Sequence, residues 1–129
     1  VVVLRHSAIP LALGTPLWKK YGFGELLEVE NAQTKKPQED NIYYSSPVGT
    51  FLLPDMTIET LLKDGTLFCV CDMALTVYSS MAARKMNMDA AEVKKEWVAG
   101  VLPGIQVVPS GVLAINRAQE RGCTYVFAG

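Results

Sequence analysis

The sequence predicts an α/β fold in a single domain, with a mostly parallel sheet and helices on both faces, which makes three layers. Three observations support this prediction. Short apolar runs typical of buried strands alternate with amphipathic stretches that end at glycines. No linker or internal repeat divides the 129 residues, and a chain of this length buries enough surface to hold a core without disulfides or metals. Strand-helix-strand alternation requires right-handed crossovers between parallel strands.

The predicted strands are four apolar runs. They cover residues 1–5, 66–71, 105–108 and 123–127. The second run is almost wholly apolar, which suits a strand buried on both faces of a parallel sheet. The last run follows Gly122 and is expected to close the chain as a strand, with Cys123 in the core.

The predicted helices lie between these strands. They cover residues 15–21, 57–64, 73–86, 89–97 and 110–122, with Thr15, Asp72, Asp89 and Ser110 as N-caps. On the third helix, apolar pairs recur at helical spacing from Met73 to Ala82. Residues 25–56 are expected to form an irregular insertion, with short extended pieces at 25–30 and 41–44 around a solvated polar loop.

Composition excludes several classes of protein. Twelve basic and thirteen acidic residues give a net charge of −1, so nothing favours binding to nucleic acid or to an anionic membrane. The apolar runs are far shorter than the ~18 residues of a membrane span. Three cysteines without a disulfide pattern favour a reducing compartment such as the cytoplasm. Because the chain opens inside a predicted strand, we expect a segment upstream of Val1, and export stays open.

The apolar fraction indicates assembly. Half of the residues are hydrophobic and 19% are charged, which is more apolar surface than one core of this size requires. An exposed apolar remainder suits a subunit interface, so we expect a homo-oligomer.

Ligands of open parallel sheets bind beyond the carboxyl ends of the strands, and Cys71 lies at such an end. It also directly precedes a predicted helix, whose N–H groups and dipole favour a thiolate. The carboxylate of Asp72 works against ionisation of the thiol. The alternative is that Cys71 is a small buried hydrophobe, as free cysteines usually are.

The other candidates follow the neighbouring strands. His6, the one histidine, is placed to pair with Cys71 and activate its thiol, or else to bond the loop backbone. Arg5 is suited to an anionic substrate. Ser110, followed by Gly111 at a helix start, either binds an anion or simply caps the helix.

No metal or cofactor is expected. Cys69 points to the same strand face as Cys71, deeper in the sheet, and is expected to be core. Together with His6 and Cys123, these cysteines do not have the spacing of zinc ligands. The glycines do not form a phosphate-binding loop.

The chain resembles the DsrE/DsrF-like proteins. The resemblance lies in Phe68-Cys69-Val70-Cys71-Asp72-Met73-Ala74-Leu75, in Val107-Val108-Pro109-Ser110-Gly111-Val112, in Gly122-Cys123-Thr124-Tyr125 and in the opening residues 1–10. The resemblance is strongest to uncharacterised members of the group. Along the chain, it is weakest over residues 25–54.

The resemblance implies an α/β fold of flavodoxin-like topology, trimers or hexamers, and a role in intracellular sulfur oxidation and sulfur relay. In the sulfur-carrying members a cysteine at the strand end carries a persulfide between partner proteins, and Cys71 falls on that position. Arg5, Asp72 and Ser110 would then face the substrate, with His6 assisting the thiol. The alternative is a non-catalytic module of the same fold that binds a small ligand or a protein, or that serves assembly.

Overall fold

The computed structural model describes residues 1–46 and 53–127, and these form an α/β fold around a three-stranded parallel sheet. The strands are β1 (Val2–Leu4), β2 (Phe68–Cys71) and β3 (Ile105–Val108), in the order β1-β2-β3. Leu4 pairs with Val70, and Cys71 pairs with Val108. Three of the predicted strands are thereby confirmed. The central strand β2 is buried along its whole length, as its apolar sequence predicts.

Helices occupy most of the remaining described residues. The α-helices are α1 (Thr15–Tyr21), α2 (Phe23–Leu26), α3 (Ile58–Lys63), α4 (Asp72–Met86), α5 (Ala90–Ala99) and α6 (Gly111–Glu120). Two 3₁₀ helices cover His6–Ala12 and Pro54–Met56. No helix in the part of the chain that the structure describes is both long enough and apolar enough to cross a bilayer.

The capping predictions are confirmed at two helices and wrong at two. Asp89 caps α5 and Ser110 caps α6 through side-chain oxygens. Thr15 and Asp72 are instead the first residues of α1 and α4, which leaves Gly14 and Cys71 as N-caps without a side-chain capping bond. Both side chains have partners elsewhere in the chain. The Thr15 hydroxyl accepts the Asn41 N–H, and the Asp72 carboxylate pairs with a lysine of α5.

The two faces of the sheet have different surroundings. Leu4, Phe68, Val70 and Ile105 belong to the largest buried cluster, which also includes side chains of α1, α4 and α5. Val3 and Cys69 point to the other face because side chains alternate along a strand. Helix α6 begins on that side, where Gly111 lies against Val3.

The predicted closing strand is wrong. Residues 123–127 form no strand, and Val126 and Phe127 are 82% and 75% exposed. Cys123 is exposed rather than part of the core. The segment nevertheless lies beside β1, because Cys123 and Tyr125 line a cleft of about 60 Å³ together with Val1 and Val3. The β1 edge is three residues long, and the few hydrogen bonds it offers do not offset the entropy of ordering another strand.

The predicted extended pieces at 25–30 and 41–44 are also wrong, apart from Glu30, which forms an antiparallel bridge with Pro37. Helix α2 covers the start of the first, and the second is a turn. Apart from that bridge, residues 27–46 form no helix or strand, and the prediction for residues 47–52 lies outside the described residues. The segment is fixed by Asn41, which is 5% exposed.

Asn41 joins two parts of the backbone. Its Nδ2 donates to the carbonyl oxygens of Leu11 and Leu13 at 2.9 and 2.8 Å. Its Oδ1 accepts the N–H groups of Tyr43 and Tyr44 at 3.1 and 3.2 Å. One buried amide therefore satisfies backbone groups of the irregular segment and of the chain that precedes helix α1.

Half of the predicted stripe of helix α4 is confirmed, because Ala74 is buried and Tyr78 and Ala82 pack against the core. Ala74, Leu75, Ser79 and Ala83 are buried, whereas Met73, Val77 and Met81 are 65%, 55% and 59% exposed. The residues at 74, 75, 79 and 83 also recur at helical spacing, so periodicity alone does not fix which stripe faces the core.

Substitution Asn41→Ala is expected to lower the free energy of unfolding by roughly 3 kcal/mol, because buried carbonyl and N–H groups lose their partner. The measurement is urea unfolding followed by circular dichroism. Asn31→Ala is the matched control. Asn31 accepts two backbone N–H groups in the same way, but these hydrogen bonds are exposed to solvent, so the expected loss is below about 1 kcal/mol. Equal losses for the two variants would contradict the role of Asn41.

Candidate functional site

The carboxyl ends of the three strands bring several predicted site residues to one edge of the sheet. Arg5 follows β1, Cys71 ends β2, and Ser110 with Gly111 follows β3. The parallel register aligns these ends, since Leu4 pairs with Val70 and Cys71 with Val108. This edge is where open parallel sheets bind ligands.

The thiol of Cys71 lies where the N-termini of α4 and α6 meet. Burial, the largest influence, raises its pKa. The backbone N–H groups of Gly111, Ala74 and Met73 and the positive charge of Arg5 lower it, and together they bring the pKa of Cys71 below its ordinary value. Cys71 makes no capping hydrogen bond with α4. The α4 N–H groups therefore act on sulfur as oriented partial positive charges.

Arg5 and Gly111 fit together closely beside this thiol. A Cβ at position 111 would lie 2.6 Å from Cδ of Arg5 and 2.8 Å from Cγ1 of Val3, so only glycine allows the arginine stem to lie there. The Nε atom of Arg5 is buried without a hydrogen-bond partner among the described residues. Arg5 thus brings an unshared donor and a positive charge to the neighbourhood of Cys71.

Asp72 is turned away from the thiol. Its Oδ2 lies 3.0 Å from Nζ of Lys94 on α5, and both side chains are about one third exposed. The ion pair offsets the negative charge that would oppose a thiolate at Cys71. Asp72 therefore links α4 to α5, and the structure shows no contact between its carboxylate and the Cys71 sulfur.

His6 is placed differently from Arg5. The His6 backbone has a φ of 49°, in the left-handed region. The chain therefore turns sharply directly after Arg5, at the edge of the sheet. The exposed imidazole meets the Tyr78 ring of α4 edge-on, with centroids 6.4 Å apart. This contact involves Tyr78 and not Cys71. His6 is also not among the groups that most affect the pKa of the Cys71 thiol.

Ser110 caps α6, and its Oγ accepts the Leu113 N–H at 3.5 Å. The hydroxyl fixes the start of the helix and thereby the position of the Gly111 N–H that faces Cys71. Ser110 therefore contributes to the site indirectly, because it fixes the backbone that carries the Gly111 N–H.

The cysteines differ in character. Burial raises the pKa of Cys69, whose Sγ lies 3.6 Å from the Val2 carbonyl oxygen. Cys69 is buried, as predicted, and Cys123 is exposed. Within residues 1–46 and 53–127, no three His, Cys, Asp or Glu side chains cluster as metal ligands would.

Sequence reasoning missed Gly111 as a member of the site. The signal was present, since a glycine follows a capping serine directly after a strand, where a neighbouring chain approaches closely. What the glycine accommodates, the stem of Arg5, lies more than a hundred positions earlier and is not visible in local sequence.

Comparison of the chain with protein-family models, with curated proteins and with solved structures found no match.

Alkylation by iodoacetamide is expected to show that Cys71 ionises at lower pH than an ordinary thiol. The pH at half-maximal rate, measured by mass spectrometry of the labelled peptides, should rise in Arg5→Ala because the positive charge is lost. Arg5→Lys keeps the charge and should leave that pH near the wild-type value. An unchanged pH in Arg5→Ala would contradict the role of Arg5.

The same measurement tests Gly111. In Gly111→Ala the new methyl group displaces the Arg5 stem, so the expected shift has the same direction as in Arg5→Ala. Gly14→Ala is the control, because its φ of −66° suits any residue and a Cβ there meets only ordinary contacts, the nearest at 3.6 Å.

Proposed function

We propose that this chain is a DsrE-like sulfur carrier that holds a persulfide on Cys71. The observation that carries the proposal is the convergence of the Gly111, Ala74 and Met73 N–H groups and of Arg5 on one thiol at the ligand-binding edge of the sheet. A thiolate is the form of cysteine that attacks sulfur, and these groups favour the thiolate.

The proposed step is a transfer of sulfane sulfur between thiols. The Cys71 thiolate attacks the terminal sulfur of a donor persulfide, R–S–SH. A new S–S bond forms as the donor S–S bond breaks, and the electron pair of the broken bond leaves on R–S⁻. The product is Cys71–S–SH, and attack by an acceptor thiolate on its outer sulfur regenerates the Cys71 thiolate. No external oxidant or reductant enters either step.

The surrounding residues suit a sulfur anion. Deprotonated persulfide carries its negative charge on the outer sulfur, within reach of an extended donor such as Arg5, whose Nε has no partner among the described residues. Ser110 holds the Gly111 N–H in place, and Asp72 holds α4 against α5 through Lys94. His6, exposed on the Tyr78 ring, is assigned to the approach of a donor or acceptor protein.

Burial of the thiol favours a second candidate function. Cys71 is 2% exposed, so a donor reaches its sulfur only when a neighbouring side chain moves. A non-catalytic binding or assembly module of the same fold would keep its thiol covered in this way. The rate of alkylation at pH above the Cys71 pKa separates the two candidates, since a carrier has to admit small reagents quickly.

The wider assignment is part of the same proposal. The chain is assigned to the DsrE-like proteins. Its sheet is assigned a flavodoxin-like topology within a three-layer fold, and the chain is expected to assemble as trimers or hexamers. Exposed Met73, Val77 and Met81 along one face of α4 support assembly, as do Val112 and Leu113 on α6. Three free cysteines support a reducing compartment, such as the cytoplasm.

Incubation with glutathione persulfide is expected to add the mass of one sulfur atom to the intact protein. The adduct should be lost on reduction and absent in Cys71→Ser, because that variant lacks the nucleophile. Cys69→Ser is the matched control and should keep the adduct, since burial holds its thiol protonated. Peptide mapping that places the sulfur on Cys69 or Cys123 would overturn the proposal.

Light scattering coupled to size exclusion is expected to show an oligomer. Val77→Lys places a charge in the middle of the exposed α4 face and should reduce the measured mass. Ala91→Lys, on an exposed position of α5, is the control and should leave the mass unchanged. A monomeric wild-type protein would contradict assembly without touching the chemistry of Cys71.

A further inference from the structure

A cavity lined by residues of α1, α2, α4 and α5 shares no lining residue with the Cys71 edge, and we call it the aromatic pocket. We propose that the aromatic pocket binds a free α-amino acid with an aromatic side chain. The ring fills the cavity, and the charged head group lies between Glu25 and Lys85. The cavity has a volume of about 260 Å³. Its walls include the aromatic and sulfur-containing side chains Tyr21, Phe23, Tyr78, Met81 and Trp97.

Helix α4 supplies one wall of the aromatic pocket. Its residues 78, 81, 82 and 85 line the cavity, and residues at this spacing lie on one face of a helix. That wall therefore runs from the Tyr78 ring to the ammonium group of Lys85. Helix α2 supplies another part of the wall, where Glu25 lies beside Phe23 and Leu26. The two charged side chains thus come from different helices.

The aromatic rings are fixed by contacts with one another and with neighbouring polar groups. Trp97 meets Tyr21 and Phe23 edge-on, with ring centroids 5.3 and 5.2 Å apart, and Tyr21 stacks on Phe23 at 5.9 Å. The Tyr21 hydroxyl donates to the Glu96 carboxylate at 2.5 Å, and Nζ of Lys20 donates to the same carboxylate at 2.8 Å. The rings are ordered before any ligand arrives, which favours binding of a rigid aromatic ring.

Glu25 and Lys85 bring opposite charges to the aromatic pocket, and both side chains are exposed. None of the ion pairs among the described residues includes either side chain, so the two also do not pair with each other. Oε2 of Glu25 lies 4.0 Å from the position that a Cβ of residue 22 would occupy, and Gly22 itself lines the cavity. One anion and one cation, each without an ionic partner in the described part of the chain, therefore stand at the same cavity.

This pair of charges favours a ligand that carries both signs. A ligand with only a carboxylate would be attracted by Lys85 and repelled by Glu25, and a ligand with only an ammonium group would meet the reverse. An α-amino acid carries both groups on one carbon, so each of its charges finds an opposite charge on the protein. A residue within a peptide lacks one or both of these charges. The requirement for both identifies the free amino acid.

The size of the cavity indicates the side chain of that amino acid. A cavity of about 150 Å³ holds benzene, and a further group of the size of water takes about 30 Å³. A volume of about 260 Å³ therefore holds one benzene ring with roughly three more groups, as in the side chain and α-carbon of phenylalanine or tyrosine.

Titration of the ¹⁵N-labelled full chain with L-phenylalanine provides the test. The backbone amide resonances of Gly22 and Ala82 are expected to shift in a saturable way, and that of Gly111 at the Cys71 edge to stay unmoved. Two comparison ligands have the same shape with one charge removed, since L-phenylalaninamide lacks the carboxylate and L-phenyllactate lacks the ammonium group. At about pH 6, below the ~7.7 pKa of an α-amino group, each is expected to bind roughly threefold more weakly than phenylalanine.

Charge variants assign each group of the ligand to one side chain. In Glu25→Gln, phenylalanine and phenyllactate are expected to bind equally, because the carboxylate that distinguishes them is gone. In Lys85→Gln, phenylalanine and phenylalaninamide are expected to bind equally, because the ammonium group that distinguishes them is gone. Glu92→Gln and Lys95→Gln are the controls, since both residues are exposed on α5 outside the cavity and their replacement should leave all three affinities unchanged.

A further ligand tests the ring. L-leucine carries both charges without a ring and is expected to bind roughly threefold more weakly than phenylalanine, because contacts between aromatic rings are lost. Equal affinity of the wild-type chain for phenylalanine and leucine would overturn the proposal, as would equal affinity for phenylalanine and its two singly charged analogues.

Three other outcomes would also overturn it. They are no saturation by phenylalanine, a Glu25→Gln variant that still distinguishes phenylalanine from phenyllactate, and resonances that move with protein concentration alone, since a second copy would then occupy the cavity. None of these outcomes involves Cys71, so failure of this proposal and failure of persulfide transfer are distinguishable.

Discussion

The parallel pairing of β2 with both of its neighbours is the constraint on which the rest of the structure depends. Because β1 and β3 run in the same direction as β2, all three carboxyl ends reach one edge. Two helix N-termini and Arg5 therefore meet at the end of the central strand. Reversing either outer strand would bring an amino end to that edge and would separate Cys71 from the Arg5 charge or from the Gly111 N–H.

The character of Cys71 follows from two opposing effects at that edge. Burial alone would keep the thiol protonated, as it does for Cys69 two residues earlier on the same strand face. The difference between the two cysteines is the backbone around them, because only Cys71 stands where helix N–H groups point inward. The Asp72 carboxylate would weaken this effect, and its pairing with Lys94 moves that charge towards α5. Position in the fold, more than residue type, distinguishes the two thiols.

Local sequence predicted the parts of the fold that local physics determines. Examples are the apolar run that forms β2 and the capping side chains of Asp89 and Ser110, because each depends on residues only a few positions away. The wrong predictions depended on distant partners. The predicted closing strand has only a three-residue β1 edge to pair with, and of the predicted α4 stripe the half with Met73, Val77 and Met81 is exposed. In the candidate site, Cys71 and Arg5 were predicted, but the fit of Gly111 to the Arg5 stem joins positions far apart in sequence.

Helix α4 connects the thiol edge to the aromatic pocket. Its first turn supplies N–H groups to Cys71, and Met81, Ala82 and Lys85 near its other end line the pocket. Helix α5 holds α4 at both places, through Lys94 beside Asp72 and through Trp97 in the pocket wall. The two helices pack against each other, so the contacts at both places contribute to one helix–helix interface. The thiol edge and the aromatic pocket therefore share the interface between α4 and α5.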